Sequence, residues 1–389
     1  MCLNNNLETK KMNYLLTISI LLLSQFACKS VSEKVTENNI SANITTNITT
    51  NDTTKVAKQG SNTKTTDTLT FIGVGDMMLG TNYPSADFLP PENGKNLMSA
   101  VNHILKDANI TFGNLEGVVL NEGGTVKKCS NPKLCYAFRM PEKLLDNLLT
   151  AGFDVMSIAN NHVGDFGVEG RKNTIKALQN INMPAAGLES VPSVIFEKDG
   201  VRYGFAGFAP NSGTMDIRNL PAAKKLVSEL AEKCDIVMVS FHGGAEGTGH
   251  QHITKKDEPF HGENRGNVHA FAHAVIDAGA DVVFGHGPHV TRAVEVYKDR
   301  FIAYSLGNFC TYSRFNLRGV SGVAPIIKIA TDKEGKFING QITPIIQLGE
   351  GGVSLDENKT AIRLIQQLTK TDFPNAVITI GDDGKIERN

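Results

Sequence analysis

Six apolar runs in this 389-residue chain each end in a short segment carrying a carboxylate, an amide or an imidazole. They are Gly75-Asp76, Asn114-Leu115-Glu116, Asn160-Asn161-His162, His242-Gly243-Gly244, Gly285-His286-Gly287-Pro288-His289 and Gly307-Asn308. Three histidines, two carboxylates and an asparagine, with no cysteine among them, suit a borderline or hard divalent cation. Asp76 and Glu116 would supply charge. His242, His286 and His289 would act as neutral nitrogen ligands, and Asn161 as an amide-oxygen ligand. Two adjacent ions could share a carboxylate and activate a water between them. His162, next to Asn161, is then free to act as a general acid or to bind an anion, and is the candidate catalytic residue. Any one of these positions alone reads equally well as a polar cap or turn. The set of six argues for one composite site, and glycine beside most of them lets backbone approach a bound group closely.

Ligands in α/β sheets bind outside the carboxyl ends of the strands, so strands must place these segments. Leu69–Val74, Asn109–Phe112, Asp154–Ile158, Tyr203–Phe208, Ile236–Phe241, Asp281–Phe284 and Phe301–Leu306 read as buried strands. Leu97, Val101, Ile104 and Leu105 keep helical spacing. Pro141 and Gly152 stand where a helix would begin and end, and 168–181, 221–233 and 267–278 read as further helices. The alternation predicts an α/β domain whose sheets are covered by helices. Gly322–Ala330 and Phe337–Leu348 read as two antiparallel strands with a turn at Asp332-Lys-Glu-Gly335. No boundary divides 69–389, which reads as one domain with its motif-bearing core at 69–310.

The stretch from Phe241 to Arg265 is rich in His and Gly. It reads either as a solvated loop or as a wall of the site, with Glu246 and Arg265 touching substrate. His269 and His273 lie four apart on a predicted helix. That spacing can bind zinc, but the Glu of His-Glu-x-x-His is missing, and the expectation is of surface histidines. Cys129 and Cys135 are close enough in sequence for a disulfide loop outside the cytoplasm. Cys234 and Cys310 adjoin strands and read as buried thiols. The chain carries no Walker loop, Rossmann glycine fingerprint or Gly-x-Ser-x-Gly elbow.

With 39 basic and 40 acidic residues the net charge is −1. This gives no general pull toward nucleic acid or an anionic membrane. Lys10 and Lys11 precede an apolar stretch, Tyr14 to Leu23, too short to span a bilayer and ordered like a signal peptide. Gln25-Phe-Ala-Cys28 resembles a bacterial lipoprotein cleavage box, so 1–28 is expected to direct export and Cys28 to carry a lipid. Residues 29–68 repeat Asn-Ile-Thr-Thr and lack aromatics. Such a segment cannot bury enough apolar surface to order itself and reads as a tether from a membrane.

In their order, Gly73-Val-Gly-Asp76-Met-Met-Leu-Gly80, Asn114-Leu-Glu-Gly117, Ala159-Asn-Asn-His162-Val-Gly-Asp165-Phe-Gly167, Asp277-Ala-Gly-Ala-Asp281-Val-Val-Phe-Gly-His286-Gly-Pro-His289-Val290 and Tyr304-Ser-Leu-Gly-Asn-Phe309 resemble the CapA family of poly-γ-glutamate capsule proteins. The resemblance covers about Leu69 to Phe309. It implies a four-layer α/β/β/α sandwich similar to calcineurin-like metallophosphoesterases, with one or two divalent ions such as Zn, Mn or Fe. Phe138-Arg139-Met140-Pro141 resembles a family segment near the substrate, which makes Arg139 a candidate for an anionic group. Asn308 is a further candidate substrate contact. The implied partners are a polyanionic capsule polymer or its precursor, and membrane synthase subunits. The pattern departs from the metallophosphoesterases in three places. Met78 stands where they have the His of Asp-x-His, Asn114 and Glu116 replace a bridging Asp, and two residues rather than one separate His286 from His289. Two readings follow. One is an exported, membrane-tethered metal-binding protein of capsule synthesis, export or processing, which if catalytic would hydrolyse a phosphoester or γ-glutamyl amide. The other is a non-catalytic capsule-assembly subunit whose cleft binds polyanion or partner proteins.

Overall fold

The computed structural model describes residues 68–129, 135–350 and 352–389. These residues pack as one unit. The expected export signal, the Cys28 lipidation site and the tether lie outside the described residues.

Two sheets stack face to face. In the first, the strands run in the order Ile378–Ile380, Lys385–Arg388, Phe337–Gln347, Val323–Asp332, Thr68–Met78, Ile110–Leu115, Val155–Ser157 and Ala185–Ala186. The last four are mutually parallel. Asn308–Thr311 joins this sheet beside the carboxyl end of Thr68–Met78. In the second, the order is Val294–Tyr297, Arg300–Ala303, Val282–His286, Ile236–His242, Val201–Phe208 and Ser193–Lys198, with the inner four parallel.

Near-continuous apolar strands are what a sheet covered on both faces requires. Phe71, Ile110 and Phe112 from the first sheet meet Phe205, Met238, Val282 and Phe284 from the second. Phe112 stacks on Phe284 with ring centroids 5.5 Å apart. Truncating so central a ring to Ala costs about 3–5 kcal/mol.

Helices cover the two outer faces. Asn102–Leu105, Asp146–Ala151 and Gly167–Asn180 place Leu105, Leu148, Ala177 and Leu178 against Ile72, Val74 and Met156. Leu220–Ala231 and Val268–Asp277 place Val227, Phe271 and Val275 against Val237, Val239 and Val283. Asn219 and Asn267 cap these last two helices by accepting from the N–H groups of Ala222 and Ala270. Gly152 ends Asp146–Ala151 with φ 94°, donating to the carbonyls of Leu148 and Leu149. The result is the expected four-layer α/β/β/α sandwich.

The elements differ from expectation mainly at their ends. The first strand runs on to Met78 rather than stopping at Val74. The helical spacing from Leu97 yields only Asn102–Leu105. The strand expected over Phe301–Leu306 ends at Ala303. The amphipathic helix Thr360–Asp372 and the edge strands Ser193–Lys198 and Val294–Tyr297 went unread. Among the described residues no helix is long and apolar enough to cross a membrane.

Candidate metal centre

Parallel pairing brings the strand ends together. Asp76 lies beside Asn114 on one side and Asn308 on the other, and His242 lies beside His286 in the second sheet. The pairing of Thr68–Met78 with Ile110–Leu115 slips between Gly73 and Asp76. Such a bulge re-aims the side chain that follows it. The chain at Gly75 presses on its neighbour: a Cβ there would lie 2.2 Å from the Gly307 carbonyl oxygen. Gly287 has φ 113°, and a Cβ there would meet the Gly243 nitrogen at 2.7 Å. His289 itself adopts φ 54°, a left-handed conformation that costs an ordinary residue about 1–3 kcal/mol and tends to gather at functional sites.

These constraints gather Asp76, Glu116, His242 and His289, each offering a ligand atom within 4.8 Å of the others. Glu116 is fully buried, and its Oε1 lies 3.5 Å from His289 Nε2, 3.7 Å from His242 Nε2 and 3.8 Å from His162 Nε2. Asp76 Oδ2 lies 3.0 Å from His289 Nδ1, while Asp76 Oδ1 accepts from Asn114 Nδ2 at 2.8 Å. Burial opposes the Asp76 charge, but the His289 ring and the imidazoles of His286 and His242 hold its carboxyl well below the usual range. Burial pushes His289 down, yet Glu116 and Asp76 outweigh it and hold the imidazole well above its ordinary value.

The donor set fits a divalent cation. Both carboxylate oxygens of Glu116, both ring nitrogens of His242 and the side-chain oxygen of Asn161 are sealed from water without a hydrogen-bond partner among the described residues. Burying such groups unpaired is costly, and two carboxylates enclosed together repel each other and keep a proton on His289. A cation among them removes both costs.

His286 stands apart from the expected ligand set. Its Nε2 meets the Val74 carbonyl oxygen at 2.9 Å, and its Nδ1 faces Ser240 Oγ at 3.5 Å. Burial pushes this imidazole down, against the pull of Asp76. The ring ties the second sheet to the first beneath the site. Sequence spacing could not separate it from His289, because strand end and turn follow within three residues. Met78, at the position of the missing histidine, is fully buried.

His162 is held by Asp165, whose Oδ2 lies 2.8 Å from Nδ1. Asp165 also accepts from the Phe138 N–H at 2.7 Å and pairs with Lys127 at 2.6 Å. Asp165 is a functional residue whose one signal in the sequence is its place three residues after His162. Lys127 precedes the disulfide between Cys129 and Cys135, the pairing the spacing allowed. Phe138 packs on the His162 ring at 4.3 Å.

The four expected substrate contacts are engaged within the protein. Arg139 donates to Asn82 Oδ1 and the Gly123 carbonyl, and lies over the rings of Tyr83 and Phe166. Asn308 Oδ1 lies 3.1 Å from His289 Nδ1, and its Nδ2 donates to the carbonyls of His289 and Ser321. Glu246 and Arg265 pair with one another at 3.1 Å. Beneath their loop lies an ion pair that sequence reasoning missed: Arg292, fully buried, binds Glu258 at 2.8 Å and the Ala245 carbonyl at 3.1 Å.

Known proteins share this sequence pattern. The chain is 28% identical over 265 residues to the capsule biosynthesis protein CapA of Bacillus anthracis, covering 63% of this chain and 60% of that protein. It is 29% identical over 265 residues to the PGA biosynthesis protein CapA of Bacillus subtilis, covering 64% of each. The chain thus spans less than two thirds of the length of either relative. Among solved structures, a hypothetical protein from Thermus thermophilus aligns with TM-score 0.43 and 17% identity, over 72% of this chain and 99% of that one. A likeness of that size carries no argument, and the four layers rest on the strand pairing above. The family model for bacterial capsule synthesis protein PGA_cap matches residues 70–313, well over half of the chain, and the chain belongs to that family.

Proposed function

We propose that this protein is an exported, membrane-tethered, metal-dependent hydrolase acting in the synthesis, export or processing of poly-γ-glutamate or a related capsule polymer. The observation that supports it most is Glu116, a fully buried carboxylate with no hydrogen bond and three imidazoles around it. Asp76, Glu116, His242 and His289 would hold the ion, with Asn161 adding its amide oxygen. Because His286 is occupied at Val74, this donor set favours one ion over two. A divalent ion supplies Lewis-acid polarisation of a phosphoryl or carbonyl oxygen.

The chain's own residues do the rest. Asp165 fixes the ring of His162 through Nδ1, leaving Nε2 toward Glu116. From there His162 would hold an anionic oxygen or pass a proton to the departing oxygen or nitrogen. Asn308 would orient His289, and Asn114 would orient Asp76, as outer partners of ligands commonly do. The relatives' names, capsule and PGA biosynthesis, support a poly-γ-glutamate substrate or precursor. The lipid at Cys28 rests on the cleavage-box resemblance alone, and membrane synthase subunits would be the partners.

The test is metal analysis of the purified full chain, joined to hydrolysis assays on poly-γ-glutamate and on simple phosphoesters. Stoichiometric metal with activity lost in Asp76→Asn supports the reading, and a chain that takes up no divalent ion ends it. Metal without hydrolysis of either substrate class, with polymer still bound, would favour the assembly-subunit reading. Met78 and the occupied His286 support that second reading.

A further inference from the structure

We propose that His269, His273 and Glu295 form a second divalent-metal site, of the zinc class, joining helix Val268–Asp277 to edge strand Val294–Tyr297. The two histidines lie one helical turn apart and so share a face. Their rings sit 4.1 Å apart. Glu295 comes from the strand at the margin of the second sheet. Each residue offers a ligand atom within 4.8 Å of the others, and His273 Nε2 already lies 3.0 Å from Glu295 Oε2. Ligands about 2.0–2.1 Å from zinc in a tetrahedron lie about 3.3 Å apart. Small side-chain rotations would therefore complete the set.

An ordinary ion pair explains only part of this arrangement. His273 and the Tyr304 hydroxyl both meet Glu295 Oε2, the hydroxyl at 2.7 Å. Glu295 Oε1 receives no donor among the described residues, and neither ring nitrogen of His269 makes a hydrogen bond there. Yet the His269 ring is not loose. It lies nearly parallel to Tyr304 and Phe373, at 6.2 and 6.1 Å. His273 stacks on Tyr297 at 3.6 Å. Aromatic packing thus fixes two imidazoles beside a carboxylate that Tyr304 orients, as an outer partner orients a metal ligand. Two histidines and one carboxylate suit zinc, with a fourth position open to water.

The test uses the full chain, stripped by chelator and titrated with Zn²⁺ in a calorimeter and with Co²⁺ by absorption. The expected result is that Asp76→Asn/Glu116→Gln still binds one equivalent at this second site. His269→Ala and His269→Gln should weaken that equivalent by ten- to hundredfold or more, while the primary centre keeps its affinity. Unchanged zinc stoichiometry and affinity in the His269 variants would overturn the proposal. So would the absence of any bound ion in the Asp76→Asn/Glu116→Gln protein, provided its circular dichroism matches the native chain.

Discussion

The two edges of the parallel sheets use acidic residues in opposite ways. At the amino edge, Asp154, Asp235 and Asp281 each stand directly before a strand. Each accepts the backbone N–H at the start of the neighbouring strand: Thr111, Arg202 and Val237, at 2.8–2.9 Å. Two of them also hold a cation from the chain, Asp154 with Lys198 at 2.6 Å and Asp281 with Arg300 at 3.1 Å. At the carboxyl edge, Glu116 has neither a backbone donor nor a lysine or arginine among the described residues, and Asp76 has imidazoles for neighbours. One edge is complete within the polypeptide. The other has donors gathered and left open, which is the state a bound cation would complete. An acidic residue marks a site here only when the fold withholds its usual partners.

Replacing a ligand breaks this contrast most directly. Glu116→Gln should weaken metal binding about a thousandfold or more, roughly 4 kcal/mol, measured by metal content after dialysis. Its metal-free form should change little in stability, since Glu116 has no hydrogen bond to lose among the described residues and its charge is offset only by the imidazoles around it. A large loss of apoprotein stability in that variant would show that Glu116 is partnered after all.

The amino edge predicts a pH effect. Burial raises the Asp281 carboxyl to about 6, despite the Val237 N–H and the Arg300 guanidinium, with Asp332 adding to the rise. Its folded value lies above the ordinary 3.8. Its contribution is therefore fully present below that value and is lost as pH rises through about 6. At about 1.4 kcal/mol per unit this amounts to roughly 3 kcal/mol. Denaturant melts of native protein and Asp281→Asn between pH 4 and 7 should differ in slope, and parallel curves would refute the assignment.

Of the two sheet edges, chelation should act on the carboxyl one only, whatever it also removes from His269, His273 and Glu295. An ion at about a hundred times its Kd stabilises the folded state by about 2.7 kcal/mol. Removing it should lower Tm in the native protein and leave Glu116→Gln much less affected. Asp165→Asn should spare metal content, since Asp165 meets His162 rather than the ligand cluster, while shifting the pH profile of any hydrolysis. The smallest effect belongs to Asp235→Ala at the amino edge. Loss of its bond to Arg202 should cost about 1 kcal/mol and leave metal binding untouched.

The sequence by itself determined the α/β class and the strand-end positions from which the site is drawn. Hydrophobic runs, caps and turn glycines are local, and their periodicity survives in any fold that buries them. It also supplied the four residues that meet at the centre: Asp76, Glu116, His242 and His289. The tertiary structure alone decided which neighbours those residues have. His286 and His289 are three apart in sequence, yet one turns toward a carbonyl in the opposite sheet and the other toward two carboxylates. Arg139, Asn308, Glu246 and Arg265 carry the right chemistry for substrate, but partners distant in sequence engage them. The Glu258–Arg292 pair and the approach of Glu295 to His269 and His273 were likewise invisible, because each joins segments more than twenty residues apart. A side chain's role depends on which groups share its burial, and burial is fixed only when both sheets close on their common core.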